Sequence, residues 1–243
     1  MKNIEKIAVE ISSNKKYLIK TTDDDFVTPQ GMLNKRDLKH EGRIKASSGK
    51  VFSIIKPSFV DLWENLKRGP QIVIQKDIGL IITKTGINKE STVVDAGAGT
   101  GSLCLALANI CKHVTTYETN GEHVTIVEKN IAMMGFTNIT LKKESIYNDI
   151  PEHDIDLITL DVPEPWKVLE NAEKSLVMGG FVVVYLPNIL QVKTFADAIP
   201  KSGITMLEVV ELLERQWRVE ENIVRPEFEM LGHTGFLVFC RKI

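Results

Sequence analysis

One stretch of the chain joins an apolar strand to a glycine-rich turn, and it limits the possible folds more than any other feature. Residues 93–101 have the sequence Val-Val-Asp-Ala-Gly-Ala-Gly-Thr-Gly, and the next apolar run ends at Tyr117 and Glu118. Glycines let a strand–turn–helix backbone approach a ligand, and the helix N-terminus offers unpaired N–H donors. With a following acidic residue, this pattern is typical of a nucleoside-cofactor pocket in an α/β sheet.

The segments around this turn alternate between strand-like and helix-like patterns, which predicts a mostly parallel sheet covered by helices. The predicted strands are residues 92–95, 114–118, 139–141, 157–161 and 181–185, and the predicted helices are 100–111, 121–134, 165–176 and 189–199. Two last strands, 206–213 and 236–241, suit an antiparallel hairpin at one edge of a seven-stranded sheet.

The chain before this sheet has a different pattern. Short β-type runs over residues 7–11, 16–20 and 51–55 predict a small all-β N-terminal module over residues 1–56, followed by a helical linker, 57–70, and the main domain, 71–243. Residues 1–60 carry 12 Lys and Arg against 7 Asp and Glu, although the formal net charge of the whole chain is −2. The basic residues are therefore concentrated in the N-terminal module.

Cysteine content and hydropathy exclude several classes of protein. Cys104, Cys111 and Cys240 are too few and too poorly spaced for a disulfide framework or a four-ligand zinc site. The N-terminus lacks an apolar signal region, and no apolar run approaches the roughly 18 residues that span a bilayer. We therefore expect a soluble cytoplasmic protein without a metal site or membrane contact.

The spacing within the glycine turn separates two kinds of cofactor. A dinucleotide fingerprint that starts at Gly97 requires Gly or Ala where Ser102 stands. Counted from Asp95, the order D-x-G-x-G-x-G resembles motif I of class I S-adenosylmethionine-dependent methyltransferases, and Glu118 can accept hydrogen bonds from both ribose hydroxyls. The alternative is a glycine-rich turn beside an ordinary solvated glutamate.

A second motif follows the fourth strand of the predicted sheet. Residues 160–165 have the sequence Leu-Asp-Val-Pro-Glu-Pro, and ligands of open α/β sheets lie at the carboxyl ends of the strands. We therefore expect Asp161 in the same crevice as Gly99, in a loop stiffened by two prolines. An Asp at such a turn is more often a capping residue, which is the alternative here.

Taken together, these motifs make the chain resemble the archaeal and bacterial tRNA adenine-N1 methyltransferases, which modify adenine 58, and in archaea also adenine 57, of the T loop. The resemblance covers roughly residues 60–243 and implies a Rossmann-like class I methyltransferase domain. The matching segments are 68–73, 76–77, 95–101, 117–118, 146–147, 160–165, 179–181, 225–226 and 233–236.

The resemblance implies S-adenosyl-L-methionine as the cofactor. Gln71 then helps to close the pocket, the backbone of residues 98–103 holds the methionine part, and Glu118 holds the ribose. The implied cofactor-binding residues are Gln71, Asp95, Gly97, Ala98, Gly99, Thr100, Gly101, Ser102, Leu103, Glu118, His123, Ser145, Ile146 and Asp161.

The resemblance also implies tRNA as the substrate, a homotetramer, and Asp161 as the catalytic residue. A carboxylate that accepts a hydrogen bond from the adenine amino group raises electron density at N1 and stabilises the positive charge formed on methylation. The residues implied to contact RNA are Lys35, Arg36, Lys39, Arg43, Lys45, Pro163, Arg225 and His233.

Three positions depart from the family pattern. Ile74 replaces a His or Tyr whose ring lies near the target base, Ser145 replaces an Asp, and Asp95 replaces the more common Glu. Two alternatives therefore stay open: a methyltransferase with the same cofactor but an isoaspartyl protein or small-molecule acceptor, and a non-catalytic RNA-binding partner subunit.

Overall fold

The computed structural model describes residues 4–67, 69 and 72–243. Contacts between Cα atoms divide these residues into two compact units. The first unit contains the described residues up to 67 together with 129–135, and the second contains the remainder.

The first unit is built around an antiparallel sheet. Its elements are β1 (Lys6–Glu10), β2 (Lys16–Ile19), β3 (Phe26–Thr28), β4 (Gly31–Leu33), α1 (Lys35–Leu38), β5 (Gly42–Lys45), β6 (Val51–Ile55) and α2 (Phe59–Glu64). The sheet has the order β2-β1-β6-β5, and β3 and β4 form a separate hairpin. Alternate side chains such as Phe52 and Ile54 are fully buried in its core.

The predicted small β module is present, and the structure adds one helical turn to it. Asn34 accepts a hydrogen bond from the Arg36 N–H at 2.9 Å and starts the single-turn helix α1. Within the predicted helical linker, 57–70, the helix begins only at Phe59, after Ser58 donates its N–H to the Asp61 carboxylate at 3.0 Å. Arg68 lies outside the described residues.

The second unit contains the elements of the predicted main domain. They are α3 (Gln75–Thr85), β7 (Thr92–Ala96), α4 (Ser102–Ala108), β8 (His113–Tyr117), α5 (Gly121–Met134, whose last turns belong to the first unit), β9 (Ile139–Lys142), β10 (Ile155–Leu160), α6 (Leu169–Ser175), β11 (Leu176–Leu186), α7 (Ile189–Ala198), β12 (Ile204–Glu211), β13 (Trp217–Glu220), β14 (Ile223–Pro226) and β15 (Phe236–Lys242). Short 3₁₀ turns at Pro165–Val168 and Ile199–Lys201 adjoin α6 and α7.

The strand order confirms the predicted fold class. Within the described residues the main sheet has seven strands in the order β12-β15-β11-β10-β7-β8-β9. Strands β11, β10, β7, β8 and β9 are parallel, and β15 lies antiparallel between β11 and β12. The central strands are apolar throughout, since Val93, Val94, Leu157 and Ile158 are fully buried, as expected for a sheet covered on both faces.

Differences from the predicted boundaries occur beside glycine and proline. The helix predicted over 165–176 begins as a 3₁₀ turn at Pro165, and β11 already starts at Leu176. The left-handed backbone of Gly179 (φ 84°) lies within β11, at the irregular pairing between β11 and β10. The connector predicted after residue 213 contains the β13–β14 hairpin. In the part of the chain that the structure describes, no helix is long and apolar enough to cross a membrane.

Candidate active site

The glycine turn lies between the carboxyl end of β7 and the start of α4. Gly97, Gly99 and Gly101 have φ angles of 87°, 54° and 88°, a region that side-chain-bearing residues rarely adopt. The N–H groups of Gly97 and Ala98 both donate to the Tyr117 carbonyl at 3.1 Å. A Cβ atom on Gly97 would lie only 2.0 Å from the Asp161 carbonyl oxygen, so this turn packs directly against the loop that begins at Asp161.

Glu118 is buried immediately after β8, and its carboxylate organises the turn beside it. One oxygen accepts the Gly99 N–H at 2.8 Å, and the other accepts the N–H groups of Thr119 and Asn120, each at 2.8 Å. His123 Nδ1 lies 3.6 Å from the first oxygen. Because a carboxylate offers about four lone-pair positions, Glu118 retains acceptor capacity toward a ligand.

Asp95 occupies a different position from the other two acidic residues of the site. Its side chain is buried in the sheet, where the Thr116 and Thr159 hydroxyls each donate to one carboxylate oxygen at 2.7 Å. Burial raises the pKa of Asp95, and the two threonine hydrogen bonds oppose that rise. Both oxygens already have protein donors, so a direct contact between Asp95 and a cofactor stays a prediction.

Asp161 follows β10 and faces a cavity. Its N–H donates to the Ala96 carbonyl at 2.9 Å, which places it beside the end of β7. The side chain is accessible from the cavity, yet the protein atoms around it displace much of its water. This desolvation, followed by repulsion from Asp95 and Glu118, raises the pKa of the carboxyl group to about 7.

The cavity has a volume of about 360 Å³ and brings together most of the predicted site. The predicted residues that line it are Gly97, Gly99, Thr100, Glu118, His123, Ser145, Ile146, Asp161 and Pro163. A small cavity of about 30 Å³ shares Gly97, Gly99, Thr100 and Asp161 and is also lined by Ala98, Ser102 and Leu103. Gln71 lies outside the described residues, so its predicted role is not placed.

The predicted RNA contacts fall into three groups. Pro163 lines the cavity, whereas Lys35, Arg36, Lys39, Arg43 and Lys45 are exposed on α1, its C-cap and β5 of the first unit. Arg225 stacks its guanidinium on the Phe228 ring at 3.8 Å. His233 directs Nδ1 to Glu211 at 2.6 Å and Nε2 to the Pro187 carbonyl at 2.8 Å. The bond to Glu211, followed by the bond to Pro187, raises the His233 pKa.

Some residues around the site were not singled out from the sequence. Tyr185 stands near the end of β11, beside β10. Desolvation, followed by the charges of Asp77 and Asp161, raises the Tyr185 pKa to about 12. The rule that ligands gather at the carboxyl ends of parallel strands could have identified Tyr185. Tyr147, which the sequence matched to the family within segment 146–147 but without a role, also lines the cavity. Its hydrogen bond to Glu164 could not be foreseen, because it depends on the approach of two loops.

The sheet order, the glycine turn after its first parallel strand and the acidic residue ending the next strand define an α/β methyltransferase of the Rossmann-like class. Comparison with known families is more specific: residues 51–224 match the family described as the GCD14 subunit of the tRNA methyltransferase complex. The chain belongs to this family.

Individual relatives agree with that assignment. The chain is 32% identical to the tRNA (adenine(57)-N(1)/adenine(58)-N(1))-methyltransferase TrmI of Methanocaldococcus jannaschii, over 93% of this chain and 91% of that protein. It resembles the crystal structure of tRNA (m1A58) methyltransferase TrmI from Aquifex aeolicus, with a TM-score of 0.81, 28% identity and coverage of 100% and 98%. A Thermotoga maritima structure described as a SAM-dependent O-methyltransferase has a TM-score of 0.87, 27% identity and coverage of 100% and 94%.

Proposed function

We propose that the protein transfers a methyl group from S-adenosyl-L-methionine to N1 of adenine in the T loop of tRNA, at position 58 and, by its similarity to the Methanocaldococcus relative, also at 57. The observation that most directly supports the proposal is that the glycine turn, Glu118 and Asp161 line a single cavity. A catalytic subunit needs both acidic groups at one place, and a non-catalytic partner has no such requirement.

The residues present suit this cofactor. A volume of about 360 Å³ lies within the range of roughly 300–1,000 Å³ that is usual for small-ligand sites. A Cβ atom on Gly99 would meet no side chain within 4 Å, so the turn leaves its backbone open to a ligand. Glu118 offers an acceptor for ribose hydroxyls, and Glu144, Ser145 and Ile146 border the same space. When bound, the cofactor supplies an activated methyl group on a positively charged sulfur.

The protein's own contribution is to align the acceptor and to stabilise charge. Once ionised, the Asp161 carboxylate can accept a hydrogen bond from the amino group of the target adenine, which makes N1 a better nucleophile and stabilises the cation formed. Holding the two reactants in line supplies on the order of 7 kcal/mol or more of the reduction in the barrier. Tyr185 and Asp161 follow the paired residues Val184 and Leu160, respectively, and we propose that Tyr185 contacts the base where Ile74 lacks the ring of relatives.

The decisive experiment uses labelled S-adenosylmethionine and an unmodified tRNA transcript. We expect 1-methyladenosine in nucleoside digests, and primer extension should stop at adenine 58, or at 57 and 58. Transcripts with guanosine at either position identify which adenine is modified. Tight binding of the cofactor without label in tRNA would refute the proposal, and label in isoaspartyl peptides or a small molecule would favour the other acceptor class.

The first unit supplies exposed positive charge for binding tRNA. Its observed ion pairs use Lys6, Lys16 and Lys56. The remaining exposed basic side chains of α1, β5 and their neighbours are Lys35, Arg36, Lys39, Arg43, Lys45 and Lys50. We propose that these six contact tRNA phosphates, whose neutralisation offsets the few kcal/mol needed to extract the target base.

We also propose that copies of the chain assemble into a homotetramer. Strand β12 is an edge of the main sheet, and its Leu207 and Val209 are exposed. On the following hairpin, Val219 and Val224 face each other across the strands and are 72% and 73% exposed. Unpaired edge strands and contiguous exposed apolar groups are features that association buries.

A cytoplasmic location is the last part of the proposal. The described cysteines Cys104, Cys111 and Cys240 are all free and buried. Free thiols are usual in proteins of reducing compartments, and the proposed tRNA substrate is processed there.

A further inference from the structure

The Tyr147 side chain connects two loops that border the cavity. Its ring lines the cavity and packs, partly buried, against the hydrophobic core of the second unit. Its hydroxyl oxygen accepts a hydrogen bond from the Glu164 backbone N–H at 3.0 Å. Tyr147 belongs to the loop after β9, and Glu164 belongs to the loop after β10 that begins with Asp161.

The two residues beside Glu164 have no backbone N–H, which makes the Glu164 N–H important for holding this loop. Pro163 and Pro165 flank it, and proline has no backbone N–H, so Glu164 supplies the single backbone donor of residues 163–165. Tyr147 uses this donor. On the other side, the Glu164 carbonyl accepts the Lys167 N–H at 3.0 Å, which begins the 3₁₀ turn. The Tyr147 hydroxyl therefore makes a directional hydrogen bond between the loop following Asp161 and the loop after β9, in addition to the apolar packing of Ile146 and Val162 in the same core.

The loop that carries Tyr147 also borders the proposed nucleoside part of the cavity. Glu144, Ser145 and Ile146 line the cavity just before it. The Tyr147 N–H donates to the Ser145 hydroxyl at 3.3 Å, and the Asn148 N–H donates to the Ser145 carbonyl at 3.2 Å. Ile146 is buried. These contacts make residues 144–148 a compact turn, so a ligand that moves Ser145 or Ile146 also moves Tyr147.

We propose that Tyr147 is a positioning residue. When a ligand binds in the nucleoside part of the cavity, the hydrogen bond of the Tyr147 hydroxyl shifts residues 161–165 and so positions Asp161 relative to the acceptor. The inference deepens the proposed function and rests on it for the identity of the acceptor. Displacement of a reacting group by about 1 Å can reduce a rate by 10²-fold. The hydrogen bond at Glu164, three residues from Asp161, is therefore close enough to affect turnover.

Tyr147→Phe tests the proposal, because it keeps the ring and removes only the hydroxyl. We expect kcat to fall at least about tenfold, with KM for tRNA and Kd for S-adenosylhomocysteine within about threefold of the unchanged chain. Tyr17→Phe is the matched control. The Tyr17 hydroxyl donates to Gln30 at 2.6 Å in the first unit, so its loss removes a comparable bond away from the cavity. That control should keep the original kcat.

A second measurement does not require tRNA. Trp166 lies in the 3₁₀ turn that follows the loop and is partly buried, so its fluorescence reports on movement of the loop. The difference between the chain and its Trp166→Phe variant isolates this signal from Trp63 and Trp217. We expect S-adenosylhomocysteine to change the Trp166 signal, and Tyr147→Phe to reduce that change at least about threefold at saturating ligand.

The outcomes separate the two proposals. If tRNA is not methylated but the Trp166 response is lost in Tyr147→Phe, the acceptor assignment fails and the role of Tyr147 stands. An unaltered kcat together with an unaltered Trp166 response overturns the role of Tyr147, as does a Trp166 signal that never responds to S-adenosylhomocysteine. A Kd that weakens as much as kcat falls also overturns it, since Tyr147 would then be a cofactor contact.

Discussion

At the scale of single residues, the site depends on Gly97 because no other residue fits between the ends of two strands. A Cβ atom there would overlap the Asp161 carbonyl oxygen at 2.0 Å, and φ is 87°. We predict that Gly97→Ala displaces Asp161 and lowers kcat/KM by about 10²-fold or more. Steady-state kinetics measures this effect.

Gly86→Ala separates overlap from backbone strain. Gly86 ends α3 with φ 67°, and a Cβ atom there would have no neighbour within 4 Å. The Gly86→Ala variant should lose about 1–2 kcal/mol of stability, which is the usual penalty of a left-handed residue with a side chain. Its kcat/KM should be unchanged. Equal kinetic losses in the two variants would contradict the proposed contact with Asp161.

The proposed role of Asp161 predicts that the activity depends on pH. Its pKa of about 7 means that the carboxyl is protonated below and ionised above that pH. The ionised form carries the negative charge that strengthens the hydrogen bond from the adenine amino group and stabilises the cation formed. We predict that kcat/KM for the cofactor rises with pH between about 5.5 and 8, with a midpoint near 7, as expected for a free-enzyme group.

Asp161→Asn and Asp161→Ala provide the controls. Both should lose turnover by about 10²-fold or more while retaining cofactor affinity. The residual kcat/KM of Asp161→Asn should no longer rise with pH around 7. A rise that persists in Asp161→Asn would assign the titration to another group.

At the scale of elements, a buried ion pair joins α3 to the segment before β15. Lys76 Nζ donates to Asp77 at 2.7 Å and to the Thr234 hydroxyl at 2.6 Å, and that hydroxyl donates to the other Asp77 oxygen at 2.9 Å. Asp77 is fully buried. Removing one member of a buried pair leaves an uncompensated charge, so Asp77→Ala should destabilise the fold by about 3–5 kcal/mol.

Urea unfolding, followed by circular dichroism, measures this loss. Lys193→Ala is the comparison, because Lys193 pairs with Asp197 on the exposed face of α7, and an exposed helical pair contributes only about 0.3–0.5 kcal/mol. A loss of stability below about 1 kcal/mol for Asp77→Ala would contradict the prediction. It would show that Lys76 becomes hydrated, or that the structure relaxes, once Asp77 is removed.

These elements also show how far the sequence alone leads. The strands around Val93 and Leu157 follow from their apolar runs, and the turn at Gly97–Gly101 follows from glycine spacing, because both signals are local. One partner of Asp77, Thr234, is 157 positions away, and the acceptor of the Glu164 N–H is the side chain of Tyr147. Such contacts depend on loop paths, which periodicity does not encode.

At the scale of the whole molecule, the exposed apolar hairpin has a measurable consequence. We predict that the double variant Val219→Glu with Val224→Lys reduces the proposed tetramer to smaller species. The two new charges face each other with opposite sign, so the hairpin itself keeps a favourable cross-strand pair. Light scattering coupled to gel filtration gives the mass of each species.

Met178→Glu is the control for this change of surface. Met178 is 75% exposed but lies in β11, away from the hairpin in the chain. The same mass for the double variant and the unchanged chain would remove β13 and β14 from the proposed interface.

The charge distribution within the chain leads to a prediction about salt. Each phosphate contact contributes about 0.7–0.9 to the slope of log K against log salt concentration. Replacing Lys35, Arg36 and Lys39 together by Ala should therefore lower the magnitude of the slope for tRNA by about 2–3. The matched control replaces Lys89, Lys174 and Lys193, which are exposed and paired with acidic residues in the second unit. Both triple variants remove the same net charge, so an equal change in slope would mean that overall charge, and not α1, determines tRNA binding.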